Sequence, residues 1–272
     1  MLPELRLFLA HTGPAMLKLA PMKSVPTTIG PILYCACAYT RILPEQTKRD
    51  VRQGLQTCGR DVVCVPDLCA LAANRDPLLA RIAGADSPTV IACYPRAVRW
   101  LFHWAGTPLA GGRVQLLNMR VQSARDILTA IGQTISEPDA ADLTDGSRRE
   151  ATEEAVTAPD WQPWFPVIDY DRCTNCRQCL EFCLFGVYDV GAAGEIEVRR
   201  PTQCKNNCPA CARMCPAMAI MFPKIDEASP ISGNDDARDA AAGKVCLTRE
   251  QLFGGNLLER LRARRRPPLF KT

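Results

Sequence analysis

Histidine is scarce in this chain: His11 and His103 are the only two among 272 residues. Histidine-based acid–base chemistry and His-rich metal sites are therefore excluded as organising themes. No apolar run reaches the roughly 20 residues that a bilayer-spanning helix needs. The N-terminus lacks a basic flank, a clean apolar core and a small-residue cleavage site. Leu5 to Ala10 is mostly apolar but short and interrupted by Arg6, and His11, Thr12, Gly13 and Pro14 follow it. No Gly-x-Gly-x-x-Gly turn joins a strand to a helix, and Gly111-Gly112 is a lone pair. No Walker-type phosphate loop is present either. No flavin or nicotinamide site is evident, and no substrate chemistry is. The formal charge of +4 is a weak signal about partners. A cytoplasmic location is expected, and in that reducing compartment cysteines bind metal or stay as thiols.

Cysteine is what the chain has in quantity: fifteen residues, eight of them between Cys173 and Cys215. The first run reads Cys173-Thr-Asn-Cys176-Arg-Gln-Cys179-Leu-Glu-Phe-Cys183. The second reads Cys204-Lys-Asn-Asn-Cys208-Pro-Ala-Cys211-Ala-Arg-Met-Cys215-Pro216. Two intervening residues let the chain curl so that successive sulfurs and backbone N–H groups face one centre. The fourth cysteine of each run, three residues on, falls on a short helix pointing elsewhere. Zinc and disulfides are the competing readings. Two four-cysteine runs, one ending in Cys-Pro, fit zinc knuckles poorly. The pattern resembles the bacterial-type ferredoxin module with two [4Fe–4S] clusters. That resemblance implies Cys173, Cys176, Cys179 and Cys215 as ligands of one cluster. It implies Cys204, Cys208, Cys211 and Cys183 as ligands of the other. Two positions depart from the family pattern. Three residues, not two, separate Cys204 from Cys208, and Leu184 stands where a proline often follows.

Residues 31 to 132 alternate short apolar runs with helical stretches. Strands are expected at Ile32–Ala36, Asp61–Val65, Thr89–Cys93 and Arg113–Asn118. Helices are expected from Pro44 to Thr57, Pro77 to Ala83, Pro95 to Trp104 and Ser123 to Ile131. Pro44, Asp76-Pro77 and Pro95 are start signals, and Gly59, Gly84, Gly106 and Gly132 are stops. Alternation with short connections implies a parallel sheet covered by helices. Cys35 and Cys37 end the first strand, Cys69 follows the second, and Cys93 ends the third. The carboxyl ends of parallel strands share one edge, where ligands bind. Cys64, inside the second strand, reads as a small buried hydrophobe.

Cys35-Ala-Cys37, Asp67-Leu68-Cys69, Ile91-Ala92-Cys93-Tyr94-Pro95-Arg96 with Leu101-Phe102, and Asn118-Met119-Arg120-Val121-Gln122-Ser123 resemble the N-terminal domain of A-type heterodisulfide reductase proteins. The resemblance implies a small α/β fold with its own [4Fe–4S] cluster. It offers Cys35, Cys37, Cys69 and Cys93 as ligands, because Ser123 stands where the family often has a further cysteine. The bland alternative is a set of reduced structural thiols.

The fold class expected is an α/β N-terminal domain with a mainly parallel sheet, joined to an α+β ferredoxin-like two-cluster domain. The divisions are an irregular arm (1–30), the α/β domain (31–132), an acidic flexible linker (133–160), the ferredoxin domain (161–226), and a mobile segment with a basic tail (227–272). Trp161, Trp164, Phe165 and Pro166 are expected to cover the first cluster or dock the domains together. Val167–Tyr170 and Ala219–Phe222 should pair as strands, and residues 186–198 should form a hairpin turning at Gly191 and Gly194.

The function expected is iron–sulfur electron transfer, as a carrier or subunit of a larger oxidoreductase, not catalysis by the chain alone. The alternative is a redox sensor that binds a partner. A third reading, thiol or disulfide chemistry at Cys35 or Cys37, lacks a nearby histidine base and a flavin site. Partners expected are redox proteins or oxidoreductase subunits. Nucleic acid is disfavoured, since no nucleic-acid module accompanies the arginines of the tail.

Overall fold

The computed structural model describes residues 30–133 and 162–235. The arm, the linker, Trp161, Cys246 and the basic tail lie outside the described residues.

The N-terminal unit is a four-stranded parallel sheet in the order β2-β1-β3-β4. β1 (Ile32–Cys35) and β3 (Thr89–Ala92) lie at its centre and are buried along their whole length. Their continuous apolar runs follow from that, because a central parallel strand is covered on both faces. β2 (Val62–Val65) and β4 (Gln115–Asn118) form the edges and are only partly covered. Cys64 is consequently exposed, against the expectation of burial, because β2 pairs on one side only.

Five helices connect and cover the sheet. α1 (Glu45–Leu55) packs against α5 (Ala124–Ala130), and α2 (Leu68–Ala73) packs against α4 (Pro95–Trp104); α3 spans Pro77–Ala83. Two of the three start signals act as expected, whereas Pro44 is the extended N-cap of α1 and not its first residue. Asp76 caps α3 by accepting from Leu78 N at 2.8 Å, and proline opens α3 and α4. Ser123 forms a capping box with Asp126 at the start of α5. Gly54 permits the close approach of α1 to α5, since a Cβ there would meet Leu128 Cδ1 at 2.5 Å. The expected elements omit α2. Its cap is Asp67, whose carboxylate accepts from Ala70 N at 2.9 Å.

The second unit is built on two short antiparallel pairs. β5 (Val167–Ile168) pairs with β8 (Ile220–Met221), and β6 (Tyr188–Val190) pairs with β7 (Ile196–Val198). The hairpin turns through Gly194, at φ 87°. α6 (Gln178–Phe182) and α7 (Ala210–Met214) each carry one cysteine and end on another.

The two units share their packing. Phe165, Val167 and Met221 join the core of the α/β unit, and Trp104 packs against both cores. Trp104 also donates to Val198 O at 3.3 Å and lies 5.2 Å from the Phe165 ring. Of the two expected roles for the aromatic stretch, docking accounts for Phe165, whereas Trp164 stacks on Phe222. A second difference concerns the segment after Asp226. Its composition predicts mobility, yet Pro230–Ser232 is a buried turn. Ile231 O accepts from Phe222 N, and Pro230 O accepts from Arg96 Nη1 at 3.0 Å. The buried acceptors of this turn are satisfied in this way.

Among the described residues, no helix is long and apolar enough to cross a membrane.

Candidate metal centres

Curling a chain so that sulfurs two residues apart face one point requires a reversal of backbone twist between them. Asn175 (φ 54°) lies between Cys173 and Cys176, and Arg177 (φ 62°) lies between Cys176 and Cys179. Asn207 (φ 59°) does the same before Cys208. Asparagine tolerates this left-handed region better than most residues. The extra residue between Cys204 and Cys208 is absorbed in a turn, closed by Cys208 N donating to Lys205 O at 3.1 Å. Both sulfur-bearing residues therefore still reach the same cavity.

α6 and α7 are built alike. Cys179 and Cys211 sit near their starts, while Cys183 and Cys215 end them, with Cys183 N bonding Cys179 O at 3.1 Å and Cys215 N bonding Cys211 O at 3.0 Å. A four-residue offset carries the terminal cysteine to the far end of a one-turn helix. It therefore faces a different cavity from the cysteine at the start.

Two cavities result. One is lined by Cys173, Cys176, Cys179 and Cys215, with Ile168, Ile196 and Ile220 as its apolar walls. The other, of about 690 Å³, is lined by Cys204, Cys208, Cys211 and Cys183, with Phe182, Leu184 and Phe185 at its edge. Each cavity thus gathers three cysteines of one run and the last cysteine of the other. Leu184, at the position where the family often has proline, is 93% exposed on this rim.

The electrostatics follow the same division. Burial pushes the Cys179 and Cys204 thiols up to about 12, and Cys211 to about 11. Burial also raises Cys173, with the neighbouring Cys215 and Cys176 adding to it. Cys204 feels Cys211, Cys183 and Cys208. Thiols held this close resist becoming thiolates together, and a cationic iron–sulfur core would remove that penalty. Backbone N–H groups already point at sulfur: Ala219 N donates to Cys215 Sγ at 3.3 Å. The residues therefore fit a thiolate-ligated cluster.

In the α/β unit, the sheet order reverses direction between β1 and β3, the place where open α/β sheets bind ligands. Cys35 ends β1 and Cys93 follows β3. Cys69 lies in the first turn of α2, and Cys37 occupies a left-handed conformation at φ 51°. All four are buried. Leu68 N donates to Cys35 Sγ at 3.2 Å. A hydrogen bond from Cys37 holds the Cys35 thiol below its ordinary value, whereas that bond and burial push Cys37 well up. Burial, then Cys35, lifts Cys93 to about 12, with Arg120 pulling the other way. Burial, then Asp67, raises Cys69 well above its ordinary value. Four thiols from distant points of the chain thus stand within one another's fields. Ser123 is spent on its cap and is exposed; Cys58 is half-buried and Cys64 exposed, both outside this group.

Two charged pairs stand beside these sites, and their pairing has no local signature in the sequence. Arg96, on α4, is 4% exposed. It donates to the Asp169 carboxylate and to Met218 O at 2.7 Å. Asp169 O in turn accepts from Cys173 N at 3.0 Å, so the pair anchors the turn that opens the first cysteine loop. Lys224 places its Nζ 2.8 Å from Asp67 Oδ2, both side chains being buried. Asp67 could have been found as an N-cap in the motif Asp67-Leu68-Cys69. Nothing near Lys224 announces its partner.

Among the described residues, no group of three or more His, Cys, Asp or Glu side chains closes on a single metal ion. A cubane spreads its four thiolates around a larger body than one ion.

Comparison with known proteins agrees with this chemistry. Residues 165–188 match the family described as 4Fe-4S binding domain. An uncharacterized ferredoxin of Methanocaldococcus jannaschii is 48% identical over 68 residues, 25% of this chain and 44% of that protein. The chain therefore spans less than half the length of this relative. The matched family segment contains Cys173, Cys176, Cys179 and Cys183. The chain carries a ferredoxin-type [4Fe–4S] module with a place for at least one cluster, and the role that goes with such a module is iron–sulfur electron transfer.

Proposed function

We propose that this chain is a three-centre electron carrier that works within a larger oxidoreductase, as one of its subunits. In this reading Cys173, Cys176, Cys179 and Cys215 hold one [4Fe–4S] cluster. Cys204, Cys208, Cys211 and Cys183 hold a second, and Cys35, Cys37, Cys69 and Cys93 hold a third. The single observation that carries it is the lining of the two ferredoxin cavities, each of which collects three cysteines of one run and the terminal cysteine of the other. That exchange is the arrangement a pair of neighbouring cubanes requires. The buried cysteine quartet at the β1/β3 switch point supports the third centre, and the likeness to the N-terminal domain of A-type heterodisulfide reductase proteins is read in the same sense.

Bound clusters would supply one-electron redox chemistry. The chain's own residues bind, bury and orient. Thiolates and backbone N–H groups set the charge around each centre. Phe165, Val167 and Met221 join the second unit to the core of the first, which supports an α/β domain (31–132) and a ferredoxin domain (161–226) that would be held at fixed separation. Electrons entering at one unit would leave at the other. Redox proteins or oxidoreductase subunits are the partners this implies.

Iron analysis of the anaerobically prepared full chain tests the assignment. About twelve irons per chain are expected, falling to about eight in Cys93→Ser and also in Cys211→Ser. About eight irons or fewer in the unaltered chain would overturn the three-centre reading, and fewer than four would overturn the ferredoxin reading with it. Unchanged iron in Cys93→Ser would remove the third centre.

A further inference from the structure

The β1/β3 cysteine quartet has one cation of its own unit nearby, Arg120, which acts on Cys93, and a second that comes from the ferredoxin unit. Asp67, beside the quartet, has 0% exposure and caps α2, the helix whose first turn supplies Cys69 and the Leu68 N–H that Cys35 accepts. A buried carboxylate needs a counter-charge. Lys224 provides one. It follows Phe222-Pro223 in the ferredoxin unit, and its side chain is 7% exposed. Its ammonium lies 2.8 Å from Asp67 Oδ2, off the hydrogen-bond direction, and 5.4 Å from the Tyr39 ring centre. The same lysine and Cys69 line one small crevice with Trp164, Phe165 and Phe222.

A cluster ligated by four thiolates is anionic and becomes more so on reduction. A fixed positive charge beside it favours the reduced form, and a fixed negative charge opposes it. We infer that Lys224 is a counter-charge of the α/β domain's cysteine quartet, delivered by the ferredoxin unit, so that a cluster held there takes part of its reduction potential from the docked module. This rests on the reading of the quartet as a cluster site. Lys224 is a positioning residue. It touches Asp67, which caps α2 beside the cysteines. Neither Lys224 nor Asp67 lines the two ferredoxin cavities, so the quartet is the centre on which their charges act most strongly.

The test uses the full chain, loaded with iron and sulfide under anaerobic conditions and reduced stepwise with dithionite while paramagnetic resonance follows each centre. Cys93→Ser identifies the quartet's signal by removing it. Lys224→Met is expected to shift that signal's potential downward and the other two by less. Lys224→Arg is expected to restore it. Asp67→Asn, which strips the opposing charge, is expected to shift it upward. It also keeps the test available should Lys224→Met fail to fold. Shifts of opposite sign come only from charge; a merely structural latch would move both variants the same way or not at all. An unmoved quartet potential in Lys224→Met or Asp67→Asn overturns the inference and leaves the cluster reading standing. Full iron content in Cys93→Ser overturns both.

Discussion

Replacing Arg96 by methionine removes the cation that joins the α/β unit to the first cysteine loop. The guanidinium satisfies three acceptors at once: the Asp169 carboxylate, Met218 O and Pro230 O. Arg96 and Asp169 side chains are 4% and 5% exposed. Removing one partner of such a pair costs about 3–5 kcal/mol, chiefly because the other charge stays buried and unpaired. Arg172 Nε, 3.4 Å from Asp169 Oδ2, offsets part of that loss. The expectation is therefore about 3 kcal/mol, at the lower end. For a unit of this size that is a fall of roughly 6–12 °C in Tm. Thermal unfolding of the iron-loaded chain, followed by circular dichroism, reads it. Cluster absorbance should show iron at the Cys173 loop leaving first, because Asp169 O holds Cys173 N. A double variant, Arg96→Met with Asp169→Leu, should recover most of the loss, since no charge is left behind. An Arg96→Met protein that melts within about 2 °C of the unaltered chain would refute the reasoning.

Three further substitutions separate structure from ligation. Ser123→Ala removes the capping box of α5 and should cost about 1 kcal/mol with no loss of iron; lost iron would make Ser123 part of the metal site. Cys64→Ser should leave iron content unchanged, because the thiol is exposed on the edge strand β2; a fall in iron per chain would contradict that placement. Gly30→Ala would put a Cβ 2.0 Å from Asp86 O and 2.5 Å from Ser87 O, both backbone atoms. The backbone shift this forces should cost about 1–3 kcal/mol in chemical unfolding; a neutral outcome would mean the loop moves freely.

The parts legible in the sequence are those with local causes. β1 and β3 announce themselves as short apolar runs, and α3, α4 and α5 by Asp76-Pro77, Pro95 and Ser123. The cysteine runs announce their spacing, and the structure adds the left-handed Asn175, Arg177 and Asn207 that make the curl. What escapes depends on contacts between distant residues. Cys64 carries no mark of whether its strand lies inside or at the edge, because sheet order is decided by tertiary pairing. Ile231 stands in polar company, yet Arg96 and Phe222, far off in sequence, give its turn hydrogen-bond partners. Arg96 is visible in the sequence only as the end of a motif and Lys224 not at all; the fold brings Asp169 and Asp67 to them. These charges stand where the two units meet, where neither unit's own pattern extends.

The most direct test is to count electrons. Anaerobic titration of the full iron-loaded chain with dithionite should take up one electron per cluster, about three per chain, each with its own paramagnetic signal. Loaded protein that binds zinc in place of iron, or takes up no electrons across the titration, would contradict the account at its centre.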